Sequence, residues 1–306
     1  MKPLVICVMG PTASGKSALA LDLALYFGSE IINGDSMQVY KGIPIGTAAP
    51  TKEMLRQVPH HLFAYLAVDE TPNAATWAAD AAAIIDKLAS TGILPILVGG
   101  TFFWMKALFE GFSQIPPISV EFKAKALEII ETKGLDGAYQ LLKEVDPDIA
   151  SRINALDTQR IARALEVFLG TGSPLSKFQQ APPVPATLAK PLRLILEVPR
   201  EVLYQRIEQR LDEMFEEGLV AEVQSVLDQG YSPKVRPMMS SSYAPVVDFL
   251  EKRCDWQTMR DRIAQGHRNY AKRQITWLKQ EDGIRLDFQD KEQAFKVVGE
   301  FLKSAD

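Results

Sequence analysis

Residues 10–17 of this chain are Gly10-Pro11-Thr12-Ala13-Ser14-Gly15-Lys16-Ser17. The stretch matches the phosphate-binding loop pattern G-x-x-x-x-G-K-[ST], with an apolar strand pattern at 4–8 before it and a helical pattern at 17–27 after it. The two glycines let consecutive N–H groups point at one anion, and the start of the helix adds its positive end. Lys16 adds a charge, and the Ser17 hydroxyl can hold Mg²⁺. The stretch predicts a site for a polyphosphate or diphosphate; the alternative is a strand–helix turn that binds nothing.

Strands and helices alternate through the N-terminal part of the chain. Sequence patterns predict further strands at 30–33 and 94–98, and helices at 74–90 and 102–109. This alternation predicts an α/β fold in which helices cover both faces of a parallel sheet. Ligands of such sheets bind beyond the carboxyl ends of the strands. We therefore expect the phosphate loop, Asp35 and Thr101 to surround one crevice.

The pattern changes after Pro116-Pro117, where helical segments follow one another without a strand. The next strand pattern is at residues 192–198. We therefore predict a phosphate-loop α/β core with C-terminal helices, made of residues 1–117 and 189–306. Residues 118–188 are predicted to form a helical insertion into this core.

Composition and charge exclude several other classes of protein. The chain has 306 residues, 47% hydrophobic and 24% charged, which is typical of a globular protein. No apolar run approaches the roughly 18–20 residues of a membrane span, and the N-terminus does not resemble a signal peptide. Two cysteines make no disulfide framework, and the three histidines lack metal-ligand spacing. We expect a cytoplasmic monomer. The net charge of −4 argues mildly against nucleic acid, but the local distribution of charge matters more.

Two residues beyond the phosphate loop are candidates for chemistry. A nucleotide hydrolase usually has an Asp at the end of a strand to organise Mg²⁺, whereas the strand at 94–98 ends in Gly99-Gly100-Thr101. This weakens an ATPase or GTPase interpretation and leaves a small-molecule kinase open. Asp35 could be a base, a Mg²⁺ ligand or a surface residue. Thr101 could donate a hydrogen bond to a reacting oxygen or cap the following helix.

Several further motifs follow the phosphate loop. In chain order they are Asp35-Ser36-Met37-Gln38-Val39-Tyr40-Lys41-Gly42, Ile45-Gly46-Thr47-Ala48, Pro59-His60-His61-Leu62, Val98-Gly99-Gly100-Thr101, Asp157-Thr158-Gln159-Arg160-Ile161-Ala162-Arg163-Ala164-Leu165-Glu166-Val167, Arg206-Ile207-Glu208-Gln209-Arg210 with Met214 and Gly218-Leu219, and Tyr270-Ala271-Lys272-Arg273-Gln274-Ile275-Thr276-Trp277. Together these motifs resemble the family of bacterial tRNA dimethylallyltransferases, also called tRNA isopentenyltransferases or IPP transferases. The resemblance spans nearly the whole chain and is far more specific than the phosphate loop alone.

The resemblance implies transfer of a dimethylallyl group from its diphosphate to N6 of the adenosine directly 3′ of the anticodon in tRNA. It implies that residues 10–17, Arg210 and Mg²⁺ hold the diphosphate, with Ser17 as the protein ligand of the metal. Thr101 would contact the bridging oxygen, and Asp35 would accept the proton that the exocyclic amine loses. Both would border the pocket of the flipped adenine. The pocket would also be lined by Ser36, Met37 and Gln38.

The helical insertion then has an expected role, which is to grip the anticodon stem-loop through shape, stacking and phosphate contacts. The expected RNA contacts in the insertion are Lys123, Gln159, Arg160, Ile161, Ala162 and Arg163. A second basic segment, residues 260–279, holds six Lys or Arg against one Asp, a net charge of +5. The expected RNA contacts in this segment are Arg268, Lys272 and Arg273. The alternative for each charged position is a solvated surface charge.

The chain departs from the family pattern in a few places. The family usually shows Met-Arg-x-x-Gly-Tyr before the C-terminal helices, whereas this chain has Met238-Met239-Ser240-Ser241-Ser242-Tyr243. Ala49 replaces a Lys that is expected in the loop after Gly46, and Trp104 replaces a Tyr. The catalytic residues are retained, so we expect these departures to concern RNA affinity or the choice of tRNA. The alternative is a divergent paralogue with altered RNA specificity.

Three other functions fit parts of the sequence. Prenyl transfer to a free adenine nucleotide would use the same donor site, but a nucleotide needs no large helical insertion. A kinase of a small metabolite would turn over ATP. An RNA-binding protein that has lost catalysis would not need to keep Lys16, Asp35 and Thr101 together.

Overall fold

The computed structural model describes residues 2–304, which form two compact units. The first unit runs to Phe109 and resumes at Ala186, and the second spans Glu110–Pro185. The sequence pattern predicted the helical segment at 118–188, because helical periodicity begins only after the proline pair. No helix within residues 2–304 is both long enough and apolar enough to cross a membrane.

The first unit is built on a six-stranded sheet. Its strands are β1 (Leu4–Met9), β2 (Glu30–Asn33), β3 (His60–His61), β4 (Pro95–Gly99), β5 (Lys190–Glu197) and β6 (Ile284–Asp287). The spatial order is β3-β2-β4-β1-β5-β6, and every neighbouring pair is parallel. The predicted α/β class with a parallel sheet is therefore confirmed. The two edge strands are not indicated by the sequence, because a pair of histidines and the four residues of β6 carry too weak an apolar pattern.

Four helices connect the first strands. They are α1 (Lys16–Phe27), α2 (Lys52–Gln57), α3 (Ala74–Ser90) and α4 (Phe102–Phe109). The apolar side of α1 packs on one face of the sheet, where Leu23, Ile6 and Ile96 are completely buried. Each completely buried side chain of this size contributes about 1.5–3 kcal/mol, so this layer fixes the strand ends that carry the site.

The second unit is entirely helical apart from an isolated bridge between Phe112 and Val184. Its helices are α5 (Val120–Val145), α6 (Pro147–Arg152), α7 (Thr158–Thr171) and α8 (Leu175–Phe178). Helix α5 is kinked at Gly134, which has a positive φ of 71° that suits glycine. Asp157 caps α7 by accepting the N–H of Arg160, as its position before the helical pattern predicts. The α5–α7 pair encloses the core of this unit.

The first unit resumes with strand β5 and a series of helices. They are α9 (Arg200–Glu217), α10 (Leu219–Asp228), a short 3-10 turn (Pro237–Met239), α11 (Ala244–Leu250), α12 (Trp256–Leu278) and α13 (Lys291–Lys303). Helices α9 and α12 pack against each other. Both helices contact the loop that follows β1 at the carboxyl end of the sheet, α9 through Arg210 and α12 through Gln274.

Candidate active site

The phosphate loop joins β1 to α1 and forms an anion-binding concavity. Ala13 and Gly15 have positive φ angles of 63° and 92°, which turn the neighbouring N–H groups toward one side. The N–H groups of the first turn of α1 have no partner within the helix, so they are available to an anion. Gly10 is required because a Cβ there would lie 2.5 Å from Ser14 Oγ. Lys16 Nζ donates to the carbonyl of Pro11, at 3.3 Å.

Two arginines of α9 reach the same loop. Arg206 and Arg210 are four residues apart, so they project from one face of the helix. Arg206 donates to the carbonyls of Ala13 and Ser14, at 3.4 and 3.2 Å. Arg210 Nη2 donates to the Thr12 hydroxyl at 2.7 Å. The sequence motif implied Arg210 but gave no role to Arg206.

The cations at this loop are half-buried, and their hydrogen bonds go to neutral oxygens. Burial lowers the pKa of Lys16 to about 8, which the nearby Asp35 opposes and Arg210 reinforces. Burial also lowers the pKa of Arg210, whose Nε has no hydrogen-bond partner in the described part of the chain. Removing a charge from water is costly unless a counter-charge offsets it, and the single charge of Asp35 is shared between Lys16 and Arg210. The arrangement therefore favours an anionic ligand at the loop.

Gln274 of α12 connects the phosphate loop to the end of β4. Its Oε1 accepts the N–H of Thr12 at 2.7 Å, and its Nε2 donates to the carbonyl of Gly100 at 3.0 Å. The side chain is 3% exposed. Sequence reasoning assigned no role to Gln274, although it is a polar residue on the face of α12 that also carries the buried Ala271 and Leu278. A polar residue at a position that the helical period assigns to an apolar face is the sequence feature that could have indicated it.

Asp35 lies in a turn that follows β2 and is fixed by Asn33. The completely buried Asn33 accepts the Asp35 N–H at 2.8 Å and donates to the carbonyls of Asp35 and Leu62. Its own carbonyl accepts the Trp77 indole N–H at 2.8 Å. Asp35 Oδ1 accepts the N–H of Met37 at 2.8 Å. The turn therefore holds the carboxylate in one orientation before any ligand binds.

Thr101 is joined to the same turn from the neighbouring strand. Its hydroxyl accepts the N–H of Ser36 at 3.0 Å and lies 3.3 Å from Ser36 Oγ. The backbone N–H of Thr101 donates to the carbonyl of Gly34 at 3.2 Å. Tyr270 lies close by, and its pKa is raised by burial and by the charge of Asp35. The ends of β2 and β4 thus bring the hydroxyl of Thr101 close to the Asp35 turn, as their parallel order predicts.

Two cavities meet at the phosphate loop. One is lined by residues 13–19 and Arg206, has a volume of about 470 Å³, and is called the Arg206 cavity. The other is lined by Asp35, Met37 and Gln38 among others, has a volume of about 350 Å³, and is called the Asp35 cavity. The residues that line both are Lys16, Ser17, Ala48 and Arg210. A ligand held at Lys16 could therefore extend into one cavity while a second molecule enters the other.

The stretch that departs from the family pattern forms a wall of the Asp35 cavity. Ser240, Ser241 and Ser242 line it, whereas Met239 is 66% exposed. Ser242 Oγ lies 2.9 Å from Nε2 of the buried His267. Burial and the charge of Arg210 lower the pKa of His267 to about 3, so the imidazole is neutral at physiological pH. Ser242 stands where the family pattern has Gly and adds a polar contact to this wall.

The basic segment of α12 is less positive at its surface than its sequence indicated. Three of its six cations are paired with carboxylates of other helices: Arg260 with Glu208 and Asp212, Arg262 with Asp248, and Arg268 with Glu208. Lys272 and Arg273 are exposed, and Arg273 also lines the Asp35 cavity and lies over the ring of Tyr270. The net charge of +5 expected for residues 260–279 is therefore partly offset by carboxylates of α9 and α11. The spacing of charges along one helix could not show that these carboxylates lie opposite.

The expected RNA contacts of the second unit differ in exposure. Most of them are exposed: Lys123 on α5, and Gln159, Arg160 and Arg163 on α7. Ile161 is completely buried among the apolar residues of the unit, so its side chain cannot contact RNA. Ala162 is half-buried. The 3.6-residue period of the helix explains the difference, because 161 points inward while 159 and 163 point outward.

The described residues contain no group of three or more His, Cys, Asp or Glu side chains arranged to hold a metal ion. Ser17 and Asp35 both line the Asp35 cavity, so a hydroxyl and a carboxylate are available at its inner end. Such a sparse set suits Mg²⁺, which keeps several waters and takes most of its remaining ligands from phosphate oxygens. The residues present therefore fit a metal that arrives with a phosphorylated ligand.

These features define a class of protein. The parallel sheet carries a phosphate loop with half-buried cations, and a fixed carboxylate lines a cavity that adjoins the loop. This is the architecture of a phosphate-loop protein that binds one phosphorylated ligand next to a second substrate.

Comparisons with known proteins identify the family within this class. The model of the IPP transferase family matches residues 38–281, and the chain belongs to this family. The chain is 40% identical to the tRNA dimethylallyltransferase of Geobacter sulfurreducens over 284 residues, which cover 93% of this chain and 91% of that protein. The family resemblance drawn from the motifs is thereby confirmed.

Solved structures show the same relationship. The tRNA isopentenylpyrophosphate transferase of Bacillus halodurans is 30% identical with a TM-score of 0.70, covering 99% of this chain and 96% of that one. A eukaryotic dimethylallyltransferase acting on tRNA is 27% identical with a TM-score of 0.83, covering 99% of this chain and 80% of that one. The similarity therefore includes both units of the chain.

Proposed function

We propose that the protein is a prenyltransferase that moves a dimethylallyl group from dimethylallyl diphosphate to N6 of the adenosine directly 3′ of the anticodon in tRNA. The names of the relatives support this activity. The observation that carries the proposal is the junction of the two cavities, where Lys16 and Arg210 line both and Asp35 lines one. An anion site and a base are thus adjacent, which transfer between two substrates requires.

The diphosphate binds at the phosphate loop. The loop supplies Lys16 and the N–H groups at the start of α1, and α9 supplies Arg210. Pro11 has no N–H, and the N–H groups of Thr12 and Ser14 already donate within the protein. Cleavage of the allylic carbon–oxygen bond leaves positive charge on carbon and negative charge on the departing diphosphate. Half-buried cations whose hydrogen bonds go to neutral oxygens stabilise that negative charge more strongly than they would in water.

Mg²⁺ would be held by the Ser17 hydroxyl and by oxygens of the diphosphate, and when bound it would neutralise part of the leaving group's charge. The hydroxyl of Thr101 donates to the bridging oxygen of the diphosphate in this proposal. In the free protein this hydroxyl accepts the Ser36 N–H at 3.0 Å and donates to Ser36 Oγ at 3.3 Å, so binding of the donor would redirect its proton from Ser36 to the diphosphate.

The acceptor adenine enters the Asp35 cavity after it has been flipped out of its stack. The nitrogen lone pair of N6 attacks the first carbon of the donor, and the carbon–oxygen pair leaves with the diphosphate. Asp35 accepts the proton that N6 loses. Met37 and Gln38 line the cavity next to Asp35. In this proposal Met37 contacts the base, whereas the side-chain amide of Gln38 donates to the carbonyls of Thr47 and Ala48.

The second unit and α12 bind the tRNA. The exposed Lys123, Gln159, Arg160 and Arg163 form the polar surface of the helical unit, and recognition of a stem-loop by shape and phosphate contacts needs such a surface. On α12, Lys272 and Arg273 are the exposed cations of the predicted set. We expect the protein to act as a cytoplasmic monomer, which sedimentation of the free protein and cell fractionation check.

A transfer assay tests the function. Labelled dimethylallyl diphosphate and Mg²⁺ are incubated with unmodified tRNA that has adenosine 3′ of the anticodon, with the same tRNA carrying guanosine there, and with AMP. We expect label only in the first tRNA. Label in AMP alone would make the protein a nucleotide prenyltransferase. Label in none of the three, with the donor still bound, would contradict catalysis on tRNA.

A further inference from the structure

One loop borders both cavities. Residues 43–49 lie between the Asp35 turn and α2, and Gly46, Thr47 and Ala48 line the Asp35 cavity. Ala48 also lines the Arg206 cavity. The loop has no regular secondary structure, so its position depends on the side chains that hold it.

A buried carboxylate of α10 holds the loop from one side. Glu222 is 8% exposed. Its Oε2 accepts the N–H of Ile45 at 2.8 Å, and its Oε1 accepts the N–H of Gly46 at 2.9 Å. Both oxygens are therefore directed at consecutive amides of the loop. A carboxylate that accepts from two backbone N–H groups makes charge-assisted hydrogen bonds, which are among the stronger ones in proteins.

Tyr243 completes this contact. Its side chain is completely buried, and its hydroxyl lies 2.8 Å from Glu222 Oε1 and 3.0 Å from the carbonyl of Ile43. Its ring packs directly on the loop, because a Cβ at Gly46 would lie 2.4 Å from Tyr243 Cζ. Only glycine fits at this position, so the loop backbone and the tyrosine ring are in close contact.

Gln38 holds the loop from the opposite side. Its Nε2 donates to the carbonyls of Thr47 and Ala48, at 3.1 and 2.8 Å. Gln38 follows the Asp35 turn by three residues, so the loop is linked to that turn as well as to α10. The amide of Gln38, expected from the sequence to face the adenine, is thus used for the loop.

We propose that Glu222, with Tyr243, is a positioning residue that fixes the 43–49 loop where the two cavities meet, so that donor and acceptor are held in line. This inference rests on the proposed function. Glu222 touches neither substrate; it acts through the amides of Ile45 and Gly46. Loss of its contacts would let the loop move and widen the junction next to Lys16 and Ser17.

The variant Glu222→Gln tests this role. Gln has nearly the same size, but one of its two terminal atoms is an amide nitrogen that would face an N–H donor of the loop. We expect amide hydrogen exchange of residues 43–49 to rise about tenfold or more. We also expect the KM for dimethylallyl diphosphate to rise about tenfold while kcat falls less, because the loop borders the bound donor. The matched control is Glu216→Gln, which changes an exposed glutamate of α9 and should leave both measurements unchanged.

Tyr243→Phe is the milder second variant, since it removes only the hydroxyl and keeps the ring on Gly46. If Glu222→Gln does not fold, the same measurements are made on Tyr243→Phe. We expect a smaller rise in the amide exchange of residues 43–49 and in the KM for dimethylallyl diphosphate. Unchanged exchange at 43–49 in a folded variant would overturn the contact, and raised exchange with unaltered kinetics would overturn the positioning role. Binding of inorganic pyrophosphate with Mg²⁺, followed by its protection of the 43–49 amides, is measured in parallel. This readout does not depend on tRNA, so it separates failure of the loop proposal from failure of the proposed function.

Discussion

Two sets of cationic side chains in the first unit differ in their surroundings. The phosphate-loop cations are Lys16, Arg206 and Arg210. They donate to backbone carbonyls and to a hydroxyl. The α12 arginines are Arg260, Arg262 and Arg268. They form ion pairs with carboxylates of α9 and α11. Within residues 2–304 the first set makes no ion pair and Asp35 is the carboxylate whose charge acts on both Lys16 and Arg210, whereas each member of the second set is already paired.

The difference shows that a count of charges does not locate a binding site. Ion pairs that water can reach contribute only about 0–1 kcal/mol each, and the side chains of Arg260, Arg262 and Arg268 are 26–46% exposed, so these arginines serve mainly to orient α12 on its neighbours. The phosphate-loop cations are also half-buried, but their hydrogen bonds go to neutral oxygens. Such a cation lowers stability until an anion binds, and this cost is recovered as affinity for the ligand. The sequence showed the denser positive charge on α12, but the environment gives the stronger anion site to the phosphate loop.

The first prediction, with the largest expected effect, concerns Asp35, whose charge acts on the phosphate-loop cations Lys16 and Arg210. Asp35→Asn removes the proposed base and should lower the rate of transfer about a hundredfold to ten-thousandfold. Donor binding should be retained or become tighter, because Asp35 attracts the same cations, Lys16 and Arg210, that bind the diphosphate. Single-turnover transfer and calorimetry with the donor measure the two effects.

The matched control for Asp35→Asn is Asp69→Asn, which changes an exposed aspartate of the same unit. If Asp35→Asn binds the donor more weakly but transfers at an unaltered rate, Asp35 is not the general base, and its role is that of a counter-charge to the phosphate-loop cations.

The second prediction compares one arginine from each set. Arg210→Gln should weaken binding of dimethylallyl diphosphate with Mg²⁺ about tenfold to a hundredfold, since a hydrogen bond to a charged group contributes about 1.5–3 kcal/mol. Arg262→Gln should change donor affinity less than about twofold, because Arg262 is paired with Asp248. Calorimetric titration of both variants checks the contrast, and equal losses would remove the distinction between the two sets.

The sequence predicted the part of the site that lies on the sheet. The phosphate loop, Asp35 and Thr101 each follow a strand, and parallel strands bring their carboxyl ends to one edge, so no knowledge of packing was needed. Gln274 and Glu222 were missed because they belong to helices whose rotation about their own axes is set by tertiary packing. Their partners, Thr12 and Gly46, are far away in sequence.

The same reason explains the corrected interpretation of the basic segment. The pattern of residues 260–279 shows which positions are charged, and the helical period shows which face each occupies. It does not show that Glu208 on α9 lies opposite Arg268. The second unit spans Glu110–Pro185, whereas the sequence pattern predicted residues 118–188. Residues 110–117 lie outside that prediction because they have no helical periodicity.

The third prediction concerns pH. Because burial lowers the pKa of Lys16 to about 8, the free protein loses this charge as the pH rises through that value. Bound diphosphate favours the protonated form and raises the pKa in the complex, so binding above pH 8 takes up a proton. Donor affinity should be nearly constant below about pH 7 and should fall by up to about tenfold per pH unit above 8. Calorimetry in buffers of different ionisation enthalpy measures the proton uptake.

Lys16→Met is the control for this pH dependence. It should bind the donor weakly and without the loss above pH 8, because the titrating amine is gone. A wild-type protein whose donor affinity is constant from pH 7 to 9 would contradict the lowered pKa of Lys16.

The smallest expected effect concerns RNA binding by α12. Lys272→Ala should weaken tRNA binding several-fold and reduce the slope of log K against log salt by about one, as expected for one phosphate contact. Arg268→Ala should have a smaller effect, because Arg268 is already paired with Glu208 at 2.6 Å. Filter binding over a range of salt concentrations compares the two variants, with Lys87→Ala, an exposed lysine of α3, as the control.

The outcomes separate three arrangements of α12. A larger loss for Lys272→Ala than for Arg268→Ala shows that exposed cations contact the phosphates while paired ones orient the helix. Equal losses show that the Arg268–Glu208 pair opens when RNA binds, because only an arginine released from its carboxylate can neutralise a phosphate. Losses no greater than that of Lys87→Ala assign the whole basic segment to the packing of α12 on its neighbours. Contact with the anticodon stem-loop then depends on the exposed residues of α7.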